Sequence, residues 1–147
     1  MCVSLGADTC IRGVLYTLQE RLMPLIEDPY GREVARLSGL VLAIAANSLD
    51  DAVALRVDEN RTMRDIFRDA LDVVADGALR ERLRAGAGSS DPGLRLSQLD
   101  GENARLRGML IDLHAHAENL DAEGGRALCR RIWRSLSDFE MARAPRR

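Results

Sequence analysis

"DENRTMRDIF" runs from Asp58 to Phe67, and "GENARLRGML" runs from Gly101 to Leu110. Each reads Glu-Asn, two residues, a long apolar side chain, then Arg, and the two lie 43 residues apart. Aligning Glu59-Asn60 with Glu102-Asn103 matches Met63 to Leu106, Arg64 to Arg107, Phe67 to Leu110 and Asp69 to Asp112. Further along, "ALRERL" (78–83) matches "ALCRRI" (127–132) after an insertion of six residues. The pattern suggests a duplicated helix–turn–helix unit.

Asn and Arg four residues apart share one helix face, and the Glu lies at the edge of the adjoining apolar stripe. If the two helices pack antiparallel, Glu59 can face Arg107 and Glu102 can face Arg64. With Asn60 and Asn103 these groups would fix the register of two interchangeable Leu-rich surfaces, a use of polar groups known from coiled coils. The alternative is that all four charges are solvated surface groups, each worth little.

Outward from the repeat the chain reads as helix throughout. Asp8 or Thr9 can cap a first helix, whose stripe is Ile11, Val14, Leu15, Leu18 and Leu22. Pro24 predicts its kink or end, and Pro29 suits the first position of the next helix. From Tyr30 to Val74 no proline intervenes, and the stripe Val34, Leu37, Val41, Ile44, Ser48, Ala52, Leu55, Met63, Ile66, Phe67, Ala70, Val74 predicts one long helix or two broken at "NSLDD" (47–51). Asp76-Gly77 marks a turn, and 78–85 a short helix. "GAGSSDPG" (86–93) is the clearest loop and separates two halves of a single domain spanning 1–147. A fourth helix follows over 95–119. Asp121 caps a fifth, with Leu128, Ile132, Leu136 and Phe139 as its stripe, and residues 143–147 form a frayed tail. No strand pattern emerges. The expectation is an all-α bundle of four to five helices.

Composition agrees. Aromatics make up 3% of 147 residues, so the core must be aliphatic. The net charge of -2 excludes a basic nucleic-acid binder. All 21 basic residues are Arg, the signature of a GC-rich bacterial genome; with no Lys there is no Schiff-base lysine and no phosphate-loop lysine. Three irregularly spaced cysteines (Cys2, Cys10, Cys129) make no disulfide framework, and no apolar run is long enough to span a membrane. These features predict a cytoplasmic protein.

Leu99, Leu106, Leu113 and Leu120 are spaced by seven, with Leu96, Asn103, Leu110 and Ala117 between them, so the fourth helix carries a zipper-like heptad. No basic region precedes it, which excludes a DNA-binding zipper. It can serve inside the bundle or as a homodimer seam. His114 and Glu118 pair at i,i+4, as do Asp112 and His116, and either pair offers two metal ligands of the three or four a site needs. The plainer reading of His114, His116 and Glu118 is a polar outer face. Arg126, Arg130, Arg131, Arg134, Arg143, Arg146 and Arg147 make a basic C-terminal end, suited to a phosphate-bearing ligand, an acidic partner or simply the helix dipole. No catalytic residue, cofactor or metal is assigned.

"LMPLIEDPYGREVAR" (22–36), taken with the Glu-Asn-x-x-x-Arg phrase, resembles small all-helical bacterial proteins of unknown function encoded beside acyl-CoA dehydrogenases or phosphotransferase-like proteins. The resemblance implies an accessory role near acyl-CoA metabolism. The residues themselves point to a non-catalytic binding or scaffold protein that forms a homodimer. Second to that stands a binder of an acyl or phosphate-bearing molecule, and third a metal-dependent enzyme.

Overall fold

The computed structural model describes residues 6–120 and 123–144; Asp121 and its expected capping role lie outside them. The fold is all-α, with no strand among the described residues. Five α-helices follow in order: α1 (Ala7–Tyr16), α2 (Pro29–Ala70), α3 (Gly77–Ala87), α4 (Leu96–Glu118) and α5 (Glu123–Arg143). The chain divides into two compact units. The first includes residues 6–52; the second is Val53–Ala144. The division falls inside α2, whereas the sequence points to 86–93.

Unit 1 is a helical hairpin. α1 begins at Ala7 with Gly6 as N-cap, and neither Asp8 nor Thr9 caps it. The Cys10 N–H closes on the Gly6 carbonyl instead (3.1 Å), and Asp8 sits in the first turn, where a negative charge suits the dipole. After Tyr16 the helix widens into a π turn (Thr17–Leu22), then tightens into a 3-10 turn (Met23–Leu25). Pro24 lies in that turn, where its missing N–H and ring end the α-helical pattern. Asp28 Oδ2 accepts from the Gly31 N–H (2.7 Å), which makes Asp28 the cap and Pro29 the first residue of α2. α2 runs through "NSLDD" without a break. Gly39 is the close-approach point of the hairpin: a methyl there would lie 3.4 Å from Leu15 Cδ1. Arg12 Nη2 donates to Asn47 Oδ1 (3.0 Å) across the same pair of helices.

Unit 2 holds the core. Met63, Ile66, Phe67, Ala70 and Val74 of the first repeat pack with Leu106, Met109, Leu110, Leu113 and Ala117 of the second. Each of the first five is the sequence counterpart, in order, of one of the second five, and all ten are buried. Leu83 and Ile132 are likewise counterparts and likewise buried. Two ion pairs interchange the same way: Arg82 of α3 meets Asp112 of α4, and Arg131 of α5 meets Asp69 of α2. Contacts swapped in this fashion are those of two similar hairpins, α2–α3 and α4–α5, related by an approximate two-fold axis.

The direction of the helices differs from the antiparallel expectation. Along α5, Arg131 meets Asp69 and Arg143 meets Glu59; Trp133 meets His114 and Phe139 meets Arg107. Residues 53–70 of α2 and all of α4 therefore both oppose α5, and so run in the same sense as each other. Most of the zipper-like heptad is consumed inside this unit: Leu99, Leu106, Leu113, Asn103, Leu110 and Ala117 are buried, whereas Leu96 is exposed and Leu120 half-buried. Asp76 Oδ1 caps α3 by accepting from the Leu79 N–H (2.8 Å). Gly125 admits α5 past the end of α4, since a Cβ there would lie 2.8 Å from the Leu120 carbonyl oxygen and 2.9 Å from that of Ala117.

Candidate functional site

The repeated phrase meets itself at the axis of unit 2. Asn103 Nδ2 donates to Asn60 Oδ1 (2.9 Å) and to Glu59 Oε2 (3.0 Å). Asn60 Nδ2 donates to Asp91 Oδ1 (2.9 Å) and to the Leu99 carbonyl (3.4 Å). Glu59, Asn60, Arg64 and Asn103 are the buried polar residues of the protein's described part. Both cross-pairings are present: Arg107 Nη2 lies 3.3 Å from Glu59 Oε2, and Arg64 Nη2 lies 2.9 Å from Glu102 Oε1. Helices running in the same sense allow this because each Arg lies five residues beyond its own Glu. A long guanidinium stem covers that offset and reaches the carboxylate of the neighbouring helix.

Around this pseudo-symmetric centre the two sides differ. Glu59 is gripped in a fork by Arg143, Nε to Oε1 at 2.7 Å and Nη2 to Oε2 at 2.6 Å. Arg56 Nη1 adds a third guanidinium at 3.0 Å and reaches Asp100 Oδ1 with its Nε (2.6 Å). Glu102 is held by Arg64, by Ser89 Oγ (3.0 Å) and by a two-nitrogen fork from Arg105 at 2.8 Å. Arg64 Nη2 also donates to Asp91 Oδ1 (2.7 Å), and its Nε to Ser89 Oγ (3.1 Å). Arg107 donates from Nε to Asn103 Oδ1 (2.9 Å), and its guanidinium stands 5.7 Å from the Phe139 ring centre.

The electrostatics follow from these contacts. Burial pushes the Glu59 carboxyl up, but the Arg143 fork, the Arg56 charge and Asn103 outweigh it and hold the group below its ordinary value. The Arg105 fork drives Glu102 down to about 2, against burial and with help from Arg64 and Ser89. Both carboxylates are thus ionised, with their oxygens already occupied by donors. General acid–base catalysis calls for the opposite tuning, toward neutrality. The arrangement ties α2 to α4 through buried, paired charge, and a slip of either helix would leave such charge without a partner.

Sequence reasoning named Glu59, Asn60, Arg64, Glu102, Asn103 and Arg107, and the structure brings all six together. It missed Arg56, Ser89, Asp91 and Arg105, and it placed Arg143 in the basic C-terminal end rather than in this cluster. Residue 143 was expected to open the frayed tail; instead it closes the grip on Glu59 from the last turn of α5. Its spacing from Glu59, 84 residues, carries no local signal. Ser89 and Asp91 belong to the 86–93 loop, whose composition announces a turn but not its polar partners.

The remaining candidates disperse. His114 Nε2 lies 3.7 Å from Glu118 Oε1, and the ring stands edge-on to Trp133 at 5.5 Å. Nε2 of His114 and of His116 has no hydrogen-bond partner, and Asp112 is taken by Arg82. Among the described residues no group of three or more His, Cys, Asp or Glu is placed to hold a metal ion. On the basic C-terminal end, Arg126 and Arg130 both bind Glu123, and Arg131 binds Asp69. Arg146 and Arg147 lie outside the described residues. No helix in the described part is long and apolar enough to cross a membrane. Comparison with family models, with curated proteins and with solved structures finds no match for this chain.

Proposed function

We propose that this chain is a non-catalytic accessory protein that works through protein–protein contacts and associates with itself in the cytoplasm. One observation carries the reading. Unit 1 has two helices and almost no interior: among its described residues only Ala35, Gly39 and Ala46 are buried, while Val14, Leu22, Leu25, Val34, Leu37, Leu40, Val41 and Ile44 are exposed. Apolar side chains exposed in that number mark an interaction site. Unit 2 supports the reading from the other side, because its polar cluster spends every carboxylate on holding helices together. The alternative, a binder of acyl or phosphate-bearing molecules, finds less support, since the arginines of α5 are largely paired with acids.

Native mass spectrometry of the purified protein tests this. A dimer with no added mass is the expected result. A monomer carrying extra mass that disappears on denaturation would overturn the reading in favour of a bound ligand.

A further inference from the structure

We infer that the partner of unit 1 is the same segment of a second copy, paired through the first half of α2 about a two-fold axis near Val41. The inference rests on the self-association proposed above and assigns it a surface. Val34, Leu37, Val41, Ile44 and Ser48 alternate by three and four residues, the spacing of a coiled-coil seam, with Val at the first and third positions. Yet Val34 is 45% exposed, Leu37 47%, Val41 65% and Ile44 40%. At 3.6 residues per turn these side chains lie roughly half a turn round α2 from Ala35, Gly39 and Ala46, the buried face that meets α1. The hairpin therefore uses one side of α2 internally and leaves a complete seam on the other.

Three features select a second copy as the occupant. Between Arg36 and Asp50 no residue carries a charge. Two identical faces can thus meet without burying like charges, the requirement an isologous interface must satisfy. At the edge of the stripe the Glu33 carboxylate is already neutralised by Arg36 at 2.7 Å, so no unpaired charge there asks for a complementary stranger. Half-exposed aliphatic side chains from both copies, with their flanks, would remove on the order of 1,000 Å² from water, where specific interfaces begin. Unit 2 supplies the precedent: there, two similar hairpins already solve the same problem within one chain by packing about an approximate two-fold axis.

Val41 is the midpoint of the seam and meets its own counterpart whether the paired helices run parallel or antiparallel. The test compares full-length wild type, Val41→Glu, Val41→Arg and Ile111→Glu by native mass and by light scattering over a dilution series. Ile111 is an exposed apolar residue of unit 2 and serves as the control. The expected result is a dimer for wild type and for Ile111→Glu. Each Val41 variant should weaken the dimer at least about a hundredfold by burying a like-charge pair. An equimolar mixture of Val41→Glu and Val41→Arg should recover it, which shows that both variants remain folded. A Val41→Glu protein that stays as tightly dimeric as wild type overturns this seam while leaving self-association standing. Failure of the mixture to re-form a dimer overturns the face-to-face pairing. A wild type that is monomeric at every concentration overturns both this inference and self-association.

Discussion

One helix, α2, carries a single apolar stripe through two different environments. From Met63 to Ala70 the stripe is sealed against α3, α4 and α5, and its counterparts in the second repeat are sealed with it. From Val34 to Ile44 the same periodicity faces outward. The difference lies in what each stretch has to pack on. Residues 53–144 supply two hairpins, enough for a closed core, whereas residues 6–52 supply one. A two-helix layer cannot bury both of its faces, so its apolar surface must be covered by something else or stay wet. Periodicity reports that a face is apolar; the number of elements available decides whether it becomes interior.

Mutation of one stripe residue in each stretch would break the comparison most directly. Phe67→Ala should cost about 3–5 kcal/mol of stability, since the ring is fully buried and its cavity has rigid walls. Leu37→Ala, measured by urea unfolding at concentrations dilute enough to keep the protein monomeric, should cost less than about 0.5 kcal/mol. Equal losses at the two positions would mean that unit 1 has a core of its own, and the contrast would fall.

The polar centre gives the next largest effect. The Glu59 side chain is 4% exposed and answers three guanidiniums. Glu59→Ala should therefore destabilise by about 3 kcal/mol or more, because Arg143, Arg107 and Arg56 are left without their counter-ion. Adding Arg143→Met to it should cost less than the sum of the single changes, as expected of partners in one network. Strict additivity by chemical denaturation would reduce the cluster to independent surface groups.

Acid sharpens the same contrast. The folded pKa of Glu102, about 2, lies below the ordinary 4.5. Its contribution is complete above pH ~4.5 and is lost as the pH falls toward 2. Unfolding takes up one proton in that window, which corresponds to about 3 kcal/mol. Stability followed by circular dichroism should decline over this window, with Glu59 adding to the fall in the same direction. In Glu102→Gln the slope should flatten, and the protein at pH 7 should already show the loss. An unchanged slope would remove Glu102 from the acid response.

How much of this was legible in the sequence depends on the range of the interaction involved. Local signals read in part: Pro29 opens α2, and the loop expected over 86–93 begins after Ala87, its first two residues closing α3, but Asp8 and Thr9 do not cap α1, the turn residues Asp76 and Gly77 are the cap and first residue of α3, and 47–51 does not break α2. The six residues of the polar centre were legible because the phrase occurs twice, and a repeat brings long-range partners into view. The direction of α2 relative to α4 was not, since Glu-to-Arg pairing is geometrically open to helices running either way. Arg143, Asp91 and Ser89 were invisible for a simpler reason. Each reaches its partner through the tertiary fold, and nothing at their own positions distinguishes them from solvated polar residues.

The smallest effect separates a structural two-fold from a chance likeness of helix sequences. Asp69 and Asp112 are counterparts in the repeat, and so are their partners Arg131 and Arg82. All four side chains are two-fifths exposed or more, so each pair should contribute no more than about 1 kcal/mol. Asp69→Asn and Asp112→Asn should nonetheless cost the same within about 0.5 kcal/mol, and both losses should fade together in high salt. The double variant should be additive, because the pairs share no residue and bridge different helices. If one substitution is silent while the other costs more than about 1 kcal/mol, the equivalence stops at the apolar layer. The two-fold would then describe the packing of the core residues but not the ion pairs at its edge.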